Sequence, residues 1–445
     1  MTATIRFCQR DVPVDETRLQ CVNTGVDDLG PLRELTQLRE LRLRNTNPHE
    51  PVDPQARDLS PLAGLVQLEV LEVPGAPVFD LRPLAALSRL RRLDVARSAV
   101  RGLAPLAGLR ALTSLDVAST QVADLAPLAG LTELEELDIS HTQVEALGPL
   151  RALPRLRNLA LRGAPISDLT PIADRPAIMQ AEELDLTETR VRSTAALAGA
   201  VALRKLRMIN APVSDLSGLR KLPALRELRL DGTEVDELAA LAGLTGLETL
   251  TLSNTRVAVV GPLAGLGELR VLALDGTRVR DLAPLAGLTR LEELTLSGTP
   301  VSSLAALVRL GRLRNLQLEG TAVRDLAPLQ GLALESLNLS STPVDDIAAL
   351  GSLAQLRTLA LGATQVTEIR ALAGATRLER LDLRGTAVGD LTPLAELSQL
   401  ELLDVQGAAV DDEQVEKLRE RRPELAIVRE PPRRHDRHQP RRPRP

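Results

Sequence analysis

The chain has 445 residues, of which 44% are hydrophobic and 25% charged, and its formal net charge is −5. This composition is ordinary for a globular protein, and such a length would normally suggest several domains. No run of 18 apolar residues occurs, which excludes a membrane-spanning helix. Residues 1–20 lack the apolar core of a signal peptide, so the sequence predicts a cytoplasmic protein.

Residues 1–18 are predicted to form an N-terminal cap, because Ile5 and Phe7 alternate with polar neighbours and can cover the end of the core that follows. Cys8 and Cys21 are the two cysteines of the chain. Cys21 occupies an inward strand position, which favours a buried reduced thiol over a disulfide. A zinc site would need further ligands, and only His49 is near in sequence.

A unit of about 22 residues recurs from residue 19 to residue 410. Its clearest copy runs from Leu225 to Val235, LRELRLDGTEV. Leu228 and Leu230 alternate with polar residues, as in a short strand with one buried face. At Thr233 the strand ends in a turn, where a buried hydroxyl can bond backbone groups that the strand ladder leaves unpaired. The stretch from Asp281 to Leu288, DLAPLAGL, predicts a short helical or 3₁₀ turn with Asp281 at its N-cap.

The register of the repeat can be followed on the residue two positions before the valine of each copy, and eighteen copies are found. That residue is Thr at 24, 46, 120, 142, 189, 233, 255, 277, 299, 321, 342, 364 and 386, Ser at 98, and Ala at 76, 164, 211 and 408. Most steps are 22 residues, but one is 30, one is 25 and one is 21. A fixed period of this kind indicates a single elongated solenoid.

The strand motif, the Pro-Leu turn and the spacing together resemble the leucine-rich repeats, specifically the short 22-residue class of bacterial internalins and phosphatase regulatory subunits. The resemblance implies an α/β solenoid that is curved, with about 18 repeats, a parallel β-sheet on the concave face, short 3₁₀ or α turns on the convex face, and a role in binding other proteins. The family usually has Asn where this chain has Thr, Ser or Ala. Arginine accounts for 51 of the 54 basic residues, which favours GC-rich coding in a bacterium.

The residue between the two core leucines of each strand should point outward from the concave face, so that successive repeats build a column. Its charged members are the candidate partner-binding residues Arg42, Glu72, Asp94, Asp116, Asp138, Asp185, Arg207, Arg229, Asp382 and Asp404. Four consecutive acids, from Glu72 to Asp138, form an acidic ladder. Like charges at this spacing repel by roughly 1 kcal/mol per pair in water, so folding is expected to gain nothing from them. Either a basic partner relieves the repulsion, or the ladder is a by-product of repeat duplication offset by Arg92, Arg97 and Arg162.

Two departures from the regular step interrupt the solenoid. The 30-residue step carries a proline-stiffened loop, residues 47–57, which is a candidate rim of the binding face. The 25-residue step inserts residues 174–181, which are expected to enlarge a return segment without any functional role.

The C-terminal region changes character after Val410. Residues 411–430 predict a capping helix with an acidic start and a basic end, followed by a closing strand. Residues 431–445 contain no apolar side chain and predict a disordered tail. Six arginines and one aspartate give residues 433–445 a formal charge of +5.

The sequence favours a non-catalytic scaffold or adaptor that binds a protein partner with a basic patch. The alternative is attachment to nucleic acid or an anionic membrane through the tail, with the solenoid as interaction module. Ser119 and His141 recur at one repeat position near Asp116 and Asp138, but an open face offers no oxyanion hole, so no enzyme activity is expected. No cofactor, metal or small-molecule substrate is expected, and binding without Trp or Tyr anchors should depend on charge.

Overall fold

The computed structural model describes residues 3–22, 28–44 and 57–429. The chain divides into two compact units, which are described separately. Unit 1 comprises residues 1–257 and 265–269, and unit 2 comprises residues 258–264 and 270–445. The loop predicted at residues 47–57 and the tail at residues 431–445 lie outside the described residues, apart from position 57.

Each unit is built from short strands, one per repeat. The strands of unit 1 are β1 Thr4–Phe7, β2 Arg10–Pro13, β3 Arg18–Val22, β4 Glu40–Arg44, β5 Val70–Glu72, β6 Arg92–Asp94, β7 Ser114–Asp116, β8 Glu136–Asp138, β9 Asn158–Ala160, β10 Glu183–Asp185, β11 Lys205–Arg207, β12 Glu227–Arg229 and β13 Thr249–Thr251. The strands of unit 2 are β14 Val271–Ala273, β15 Glu293–Thr295, β16 Asn315–Gln317, β17 Ser336–Asn338, β18 Thr358–Ala360, β19 Arg380–Asp382, β20 Leu402–Asp404 and β21 Ala426–Val428.

The repeat strands pair in parallel with the leucines in register. Leu206, Leu228 and Leu250 are direct partners in β11 to β13, and the same alignment recurs from strand to strand in unit 2. Leu228 and Leu230 are fully buried. A 22-residue step therefore places each leucine beside its equivalents, and the core is a stack of leucine layers.

The return segments are 3₁₀ helices, as predicted, and most of them have proline in their first turn. Their bounds in unit 1 are Gly30–Glu34, Ser60–Leu62, Arg82–Leu84, Ala104–Leu106, Ala126–Leu128, Gly148–Ala152, Thr170–Ile172, Ala195–Leu197, Ser217–Leu219 and Ala239–Leu241. In unit 2 they are Gly261–Leu263, Ala283–Gly287, Ala305–Arg309, Ala327–Leu329, Ala348–Ser352, Arg370–Gly374 and Thr392–Leu394. Two α-helices complete the structure, α1 Pro176–Met179 in unit 1 and α2 Asp412–Arg421 in unit 2.

The predicted N-cap at Asp281 is one residue out of place. Leu282 is the N-cap residue, and Asp281, which precedes it, accepts a hydrogen bond from the N–H of Ala283 at 2.8 Å. The aspartate still satisfies one N–H at the helix start, because a short acidic side chain can reach the amide two residues further on.

The threonine at the end of each strand has the role predicted for its hydroxyl. Thr233 is buried, and its Oγ1 donates to the carbonyl of Leu230 at 2.6 Å. The same bond, to the carbonyl three residues earlier, is made by Thr120, Thr142, Thr189, Thr255, Thr277, Thr299, Thr321, Thr342, Thr364 and Thr386. Each hydroxyl thus satisfies a carbonyl at the point where the chain turns out of the sheet.

At the start of the chain, β1 and β2 form an antiparallel hairpin whose Ile5, Phe7 and Val12 are buried. β1 contacts the first 3₁₀ helix. The prediction of a reduced Cys21 is wrong. Cys21 is buried, but it forms a disulfide with Cys8, and their Cα atoms are 6.0 Å apart. Cys8 lies in the two-residue hairpin turn, a position that the sequence pattern did not reveal.

At the other end, α2 covers the last repeat of unit 2 with Val415 and Leu418, both buried. Asp411 accepts from the N–H of Gln414 at 2.8 Å, as an N-cap does. β21 then pairs in parallel with β20. Arg422 is 6% exposed and donates to the carbonyls of Leu397, Ser398 and Leu400, which joins the cap to the last repeat.

Candidate partner-binding site

Side chains that point away from the leucine core form a surface that we call the sheet face. In β7 the burial pattern places Leu115 in the core and Ser114 and Asp116 on this face. The acidic ladder of Glu72, Asp94, Asp116 and Asp138 lies in consecutive paired strands, since Glu72 is the direct partner of Asp94, Asp94 of Asp116, and Asp116 of Asp138. The structure therefore brings these four predicted residues together in unit 1.

The aspartates of the ladder have a structural role that contradicts the expectation of no folding benefit. Each accepts a hydrogen bond from the backbone N–H two residues further on, at 3.0 Å for Asp94, 2.9 Å for Asp116 and 2.8 Å for Asp138. These bonds satisfy a turn N–H directly after the strand. Charge repulsion in the ladder is thus offset by turn formation, at about 1–2 kcal/mol for each charge-assisted bond.

Glu72 differs from the other members of the ladder because it is buried, with 2% exposure. Its Oε1 lies 3.8 Å from Nη1 of Arg42 and 3.6 Å from Nε of Arg92. A carboxylate enclosed by two guanidinium groups is already neutralised. Glu72 is therefore compensated within the sheet face, and Arg42 lies half-buried beside it.

Asp116 and Asp138 are the half-buried members of the ladder that make no ion pair within the described part of the chain. Among the described residues, no basic side chain lies within ion-pair distance of either carboxylate. The pKa of Asp116 is raised to about 6, chiefly by burial and also by the charges of Asp94 and Asp138, while the hydrogen bond from the N–H of Ala118 and the charge of Arg97 oppose the shift. A cation placed beside these carboxylates would lower that pKa and favour the ionised form.

The two predicted arginines of unit 1 beyond the ladder are ion-paired, whereas Asp185 makes only a backbone hydrogen bond, as Asp116 and Asp138 do. Arg207 and Arg229 both contact Oε1 of Glu227, at 3.1 Å and 2.7 Å. Asp185 accepts from the N–H of Thr187 at 2.9 Å. The two arginines that the sequence placed beside the ladder therefore share one glutamate, which lies on the same strand as Arg229 and faces the same side.

The two predicted acids of unit 2 are paired as well. Arg384 binds Asp382 through a fork with a shortest distance of 2.6 Å, and its Nε lies 3.7 Å from Asp404. Both aspartates also accept from a backbone N–H two residues further on, those of Arg384 and Gln406. Of the predicted binding residues, Asp116, Asp138 and Asp185 therefore combine partial exposure with a carboxylate that makes no ion pair among the described residues, and Asp116 and Asp138 are in addition direct strand partners.

The insertion at residues 174–181, to which the sequence assigned no functional role, lies where the sheet is interrupted. β9 ends one sheet and β10 begins another, so the two strands do not pair. α1 lies in the insertion between them. A cavity of about 670 Å³ opens here, lined by Asp116, Asp138 and Leu159 on one side and by Ala177, Gln180 and Ala181 of the insertion on the other. The 25-residue step was the sequence signal for this site.

Ser119 and His141 occupy equivalent turn positions, both with left-handed backbone, at φ 56° and φ 55°. Within the described part of the chain no hydrogen bond joins their side chains. The imidazole of His141 instead lies against Gly163, where an added Cβ would come within 2.3 Å of Nδ1. His141 is therefore an exposed residue whose imidazole covers the backbone of Gly163 in the next repeat.

The described residues contain no cluster of three or more His, Cys, Asp or Glu side chains that could hold a metal ion. Over the same residues, no helix has the length and apolar character needed to cross a membrane.

Comparison with known proteins identifies solved structures with a similar fold. Neither a protein-family model nor a curated protein sequence matches the chain. Among solved structures, a leucine-rich repeat protein of Leptospira interrogans is 17% identical, with 91% of this chain and 93% of that chain covered and a TM-score of 0.58. The plant peptide hormone receptor RGFR1, solved in complex with RGF2, is 14% identical, with 94% and 80% covered and a TM-score of 0.66. The functional domain of InlJ from Listeria monocytogenes is 17% identical, with 89% and 76% covered and a TM-score of 0.51.

These likenesses and the strand register show that the chain has the leucine-rich repeat fold. The fold predicted from the 22-residue unit is confirmed, with parallel strands, 3₁₀ return segments and, in the described part of the chain, eighteen repeat strands from β3 to β20.

Proposed function

We propose that this protein is a non-catalytic scaffold or adaptor that binds a protein partner with a basic patch, and that Asp94, Asp116 and Asp138 on the sheet face of unit 1 are the main contacts. The observation that carries the proposal is the pair Asp116 and Asp138, which lacks a described ion-pair partner, while Glu72, Arg207, Arg229 and Asp382 are neutralised by neighbouring side chains. A basic partner would supply the missing countercharge. RGFR1, whose fold is similar, was solved with a bound partner, which supports a binding role for such a scaffold.

The test is affinity capture from the native host with variants that can still accept the hydrogen bond from the turn N–H. Asp94→Asn, Asp116→Asn and Asp138→Asn, combined, remove three charges, and each retains a side-chain oxygen that can accept the turn N–H. The matched control combines Asp382→Asn and Asp404→Asn, which accept equivalent N–H groups in unit 2. We expect the triple variant to lose the partner and the control to retain it. Equal capture by both would refute the proposal.

A second candidate function is attachment to nucleic acid or an anionic membrane through residues 431–445, supported by the +5 charge of residues 433–445. Deletion of residues 431–445 separates the two. Partner capture by the sheet face should survive the deletion, whereas binding to a duplex DNA probe or to phosphatidylserine vesicles should disappear if the tail is the attachment site.

The compartment is also a matter of proposal. The sequence predicts a cytoplasmic, bacterial protein, but the disulfide between Cys8 and Cys21 favours an oxidising compartment, because cytosolic thiols are kept reduced. Alkylation of free thiols in intact host cells, followed by mass spectrometry, decides between them. Protected cysteines support an oxidising environment, and fully alkylated cysteines support the cytoplasm.

A further inference from the structure

β9 and β10 of unit 1 do not pair, which leaves an opening in the sheet between these two strands. In the regular repeats, the N–H groups of Glu135 and Glu136 both donate to the carbonyl of Thr113, and this pattern continues up to β9. Among the described residues, the equivalent bonds from Glu182 and Glu183 to the carbonyl of Arg157 are missing, as β9 and β10 do not pair. β9 therefore has an unpaired backbone edge, of the kind that binds extended chains.

The opening is bounded at its far end. Beyond the strands, the N–H of Gly163 donates to the carbonyl of Thr187 at 2.8 Å, which restores the contact between the two repeats. The hydroxyl of Thr187 is buried and has no hydrogen-bond partner among the described residues. The opening is thus local to these two repeats of unit 1, and backbone and hydroxyl groups at its edges have unused hydrogen-bonding capacity.

The floor of the opening is apolar. Leu159 is half-buried, whereas the equivalent leucines of the adjacent repeats, Leu137 and Leu184, are buried. Ala177 and Ala181 of the insertion line the opposite wall of the cavity. A volume of about 670 Å³ is within the usual range for a site that encloses a ligand or a short peptide segment.

Charge determines what fits this cavity. Five carboxylates and two guanidinium groups line it. Three of the carboxylates have described partners: Glu136 pairs with Arg92, Glu182 with Arg204 and Glu183 with Lys205. Asp116 and Asp138 remain, against the single guanidinium of Arg157. The cavity is therefore complementary to a positive side chain with an apolar stem, which is the shape of arginine and lysine.

We propose that the opening between β9 and β10 binds an extended segment of a protein partner that inserts one arginine or lysine side chain. The cationic group would meet Asp116 and Asp138, its aliphatic stem would lie on Leu159, and its main chain would use the unpaired edge of β9. This inference rests on the proposed binding function and specifies the site within it.

The probe is a set of capped peptide pools, each with a fixed central residue and three randomised residues on either side. The central residue is Arg, Lys, Leu or Glu, and retention on the immobilised full-length protein is measured for each pool. Variants are Asp116→Asn with Asp138→Asn, to remove the charge, and Ala181→Trp, to fill the cavity without changing any charge. Asp382→Asn in unit 2 is the matched control, and far-UV circular dichroism checks the fold of every variant.

We expect the Arg and Lys pools to be retained at least about tenfold more than the Glu pool, because the charge pair is partly desolvated. Both the charge variant and Ala181→Trp should abolish that preference, and Asp382→Asn should leave it unchanged. Equal retention of the Arg and Glu pools overturns the inference, as does an Ala181→Trp protein that folds and keeps the preference. If host partner capture needs the acidic residues but is unaffected by Ala181→Trp, the proposed function stands and this site fails.

Discussion

At the scale of single residues, each repeat described from residue 57 onward has one residue with left-handed backbone, directly before the threonine position or its Ser or Ala equivalent. Glycine meets this requirement at Gly298 and Gly320, whereas Ala363 occupies the same position in a later repeat of unit 2 with φ 55°. The N–H of this residue donates to the next repeat, at 2.7 Å from Gly298 and 2.6 Å from Ala363, so the conformation is fixed by the ladder. A side chain here costs about 1 kcal/mol.

This backbone requirement gives the first prediction. Ala363→Gly should stabilise the protein by about 0.5–1 kcal/mol, and Gly320→Ala should destabilise it by a similar amount. An added Cβ at Gly320 has no neighbour closer than 3.8 Å, so the backbone conformation alone is tested. Thermal unfolding followed by far-UV circular dichroism measures both. A lower midpoint for Ala363→Gly would contradict the assignment.

Asp116 gives the second prediction. Its pKa is about 6 in the folded protein and 3.8 when unperturbed, so the folded state binds the proton more tightly, and this group's contribution to the unfolding free energy falls as pH rises from about 4 to about 6. The Asp116→Asn variant does not lose stability in this way as pH rises, because it cannot ionise. Its side-chain oxygen can still accept the hydrogen bond from the N–H of Ala118. Relative to wild type, the variant should gain about 1 kcal/mol at pH 7 and nothing near pH 4, after allowance for partial exposure.

Unfolding curves at several pH values test this expectation. Asp116→Ala serves as control, because it removes the charge and also the acceptor for the N–H of Ala118, and it should be less stable than Asp116→Asn at every pH. A stability difference between wild type and Asp116→Asn that does not vary between pH 4 and pH 7 would show that burial does not perturb this carboxyl.

The roles of several residues could be predicted from the sequence, and those that could not depend on three-dimensional geometry. Thr233 could be assigned because one hydroxyl at a fixed repeat position has one carbonyl to satisfy. The column position of Asp116 followed from strand periodicity, but its turn bond and its burial depend on backbone geometry. Glu72 could not be recognised as buried, since its neutralisation depends on where the side chains of Arg42 and Arg92 lie.

At the scale of elements, the first repeat of unit 1 and the last repeat of unit 2 are capped by different means. At the C-terminal end, Arg422 donates to three carbonyls of the last repeat and also contacts Glu424 at 2.6 Å. The sequence indicated only the basic end of a helix here. A buried arginine whose donors satisfy backbone carbonyls is costly to remove, because those carbonyls are left unpaired.

The third prediction concerns this cap. Arg422→Met keeps the apolar stem and removes the donors, and it should destabilise the C-terminal end of unit 2 by about 2–4 kcal/mol. Hydrogen exchange of the β20 and β21 amides should rise accordingly, while amides in unit 1 remain protected. Arg419→Met is the control, because Arg419 lies on the exposed side of α2 and pairs with Glu416. Equal effects of the two variants would show that the hydrogen bonds of Arg422 do not stabilise the cap.

At the N-terminal end, the disulfide closes a loop with a sequence separation of 13 residues between Cys8 and Cys21. The fourth prediction is that Cys8→Ser with Cys21→Ala lowers the stability of the cap by about 3 kcal/mol, mainly through the entropy of the unfolded chain. Hydrogen exchange in β1 and β2 measures the loss. Unchanged protection in the reduced or substituted protein would mean that Ile5, Phe7 and Val12 hold the hairpin without the bridge.

At the scale of the whole molecule, the 22-residue period predicts the fold because it places leucine beside leucine in each successive repeat. It cannot predict a binding site, since a regular stack offers the same surface at every step. The candidate site arises where regularity fails, at the 25-residue step that separates β9 from β10 and exposes Leu159. The insertion was visible in the sequence, but the opening it creates depends on how α1 is placed.

Binding by this protein is expected to be led by charge, because aromatic anchors are scarce. The chain has no tryptophan or tyrosine, Phe7 is buried in the cap, and Phe79 is exposed. Interfaces without such anchors depend on electrostatic and hydrogen-bonding contacts, which salt weakens. On this protein, the carboxylates of Asp116 and Asp138 would attract the basic groups of the partner.

The most direct test of this account is the affinity of the captured host partner measured as a function of salt, for wild type and for the combined Asp94→Asn, Asp116→Asn and Asp138→Asn variant. Between about 50 and 500 mM salt we expect the wild-type Kd to rise at least about tenfold, and the variant to bind weakly with little salt dependence. An affinity that does not change over this range, or a variant that binds as wild type does, would contradict the central claim.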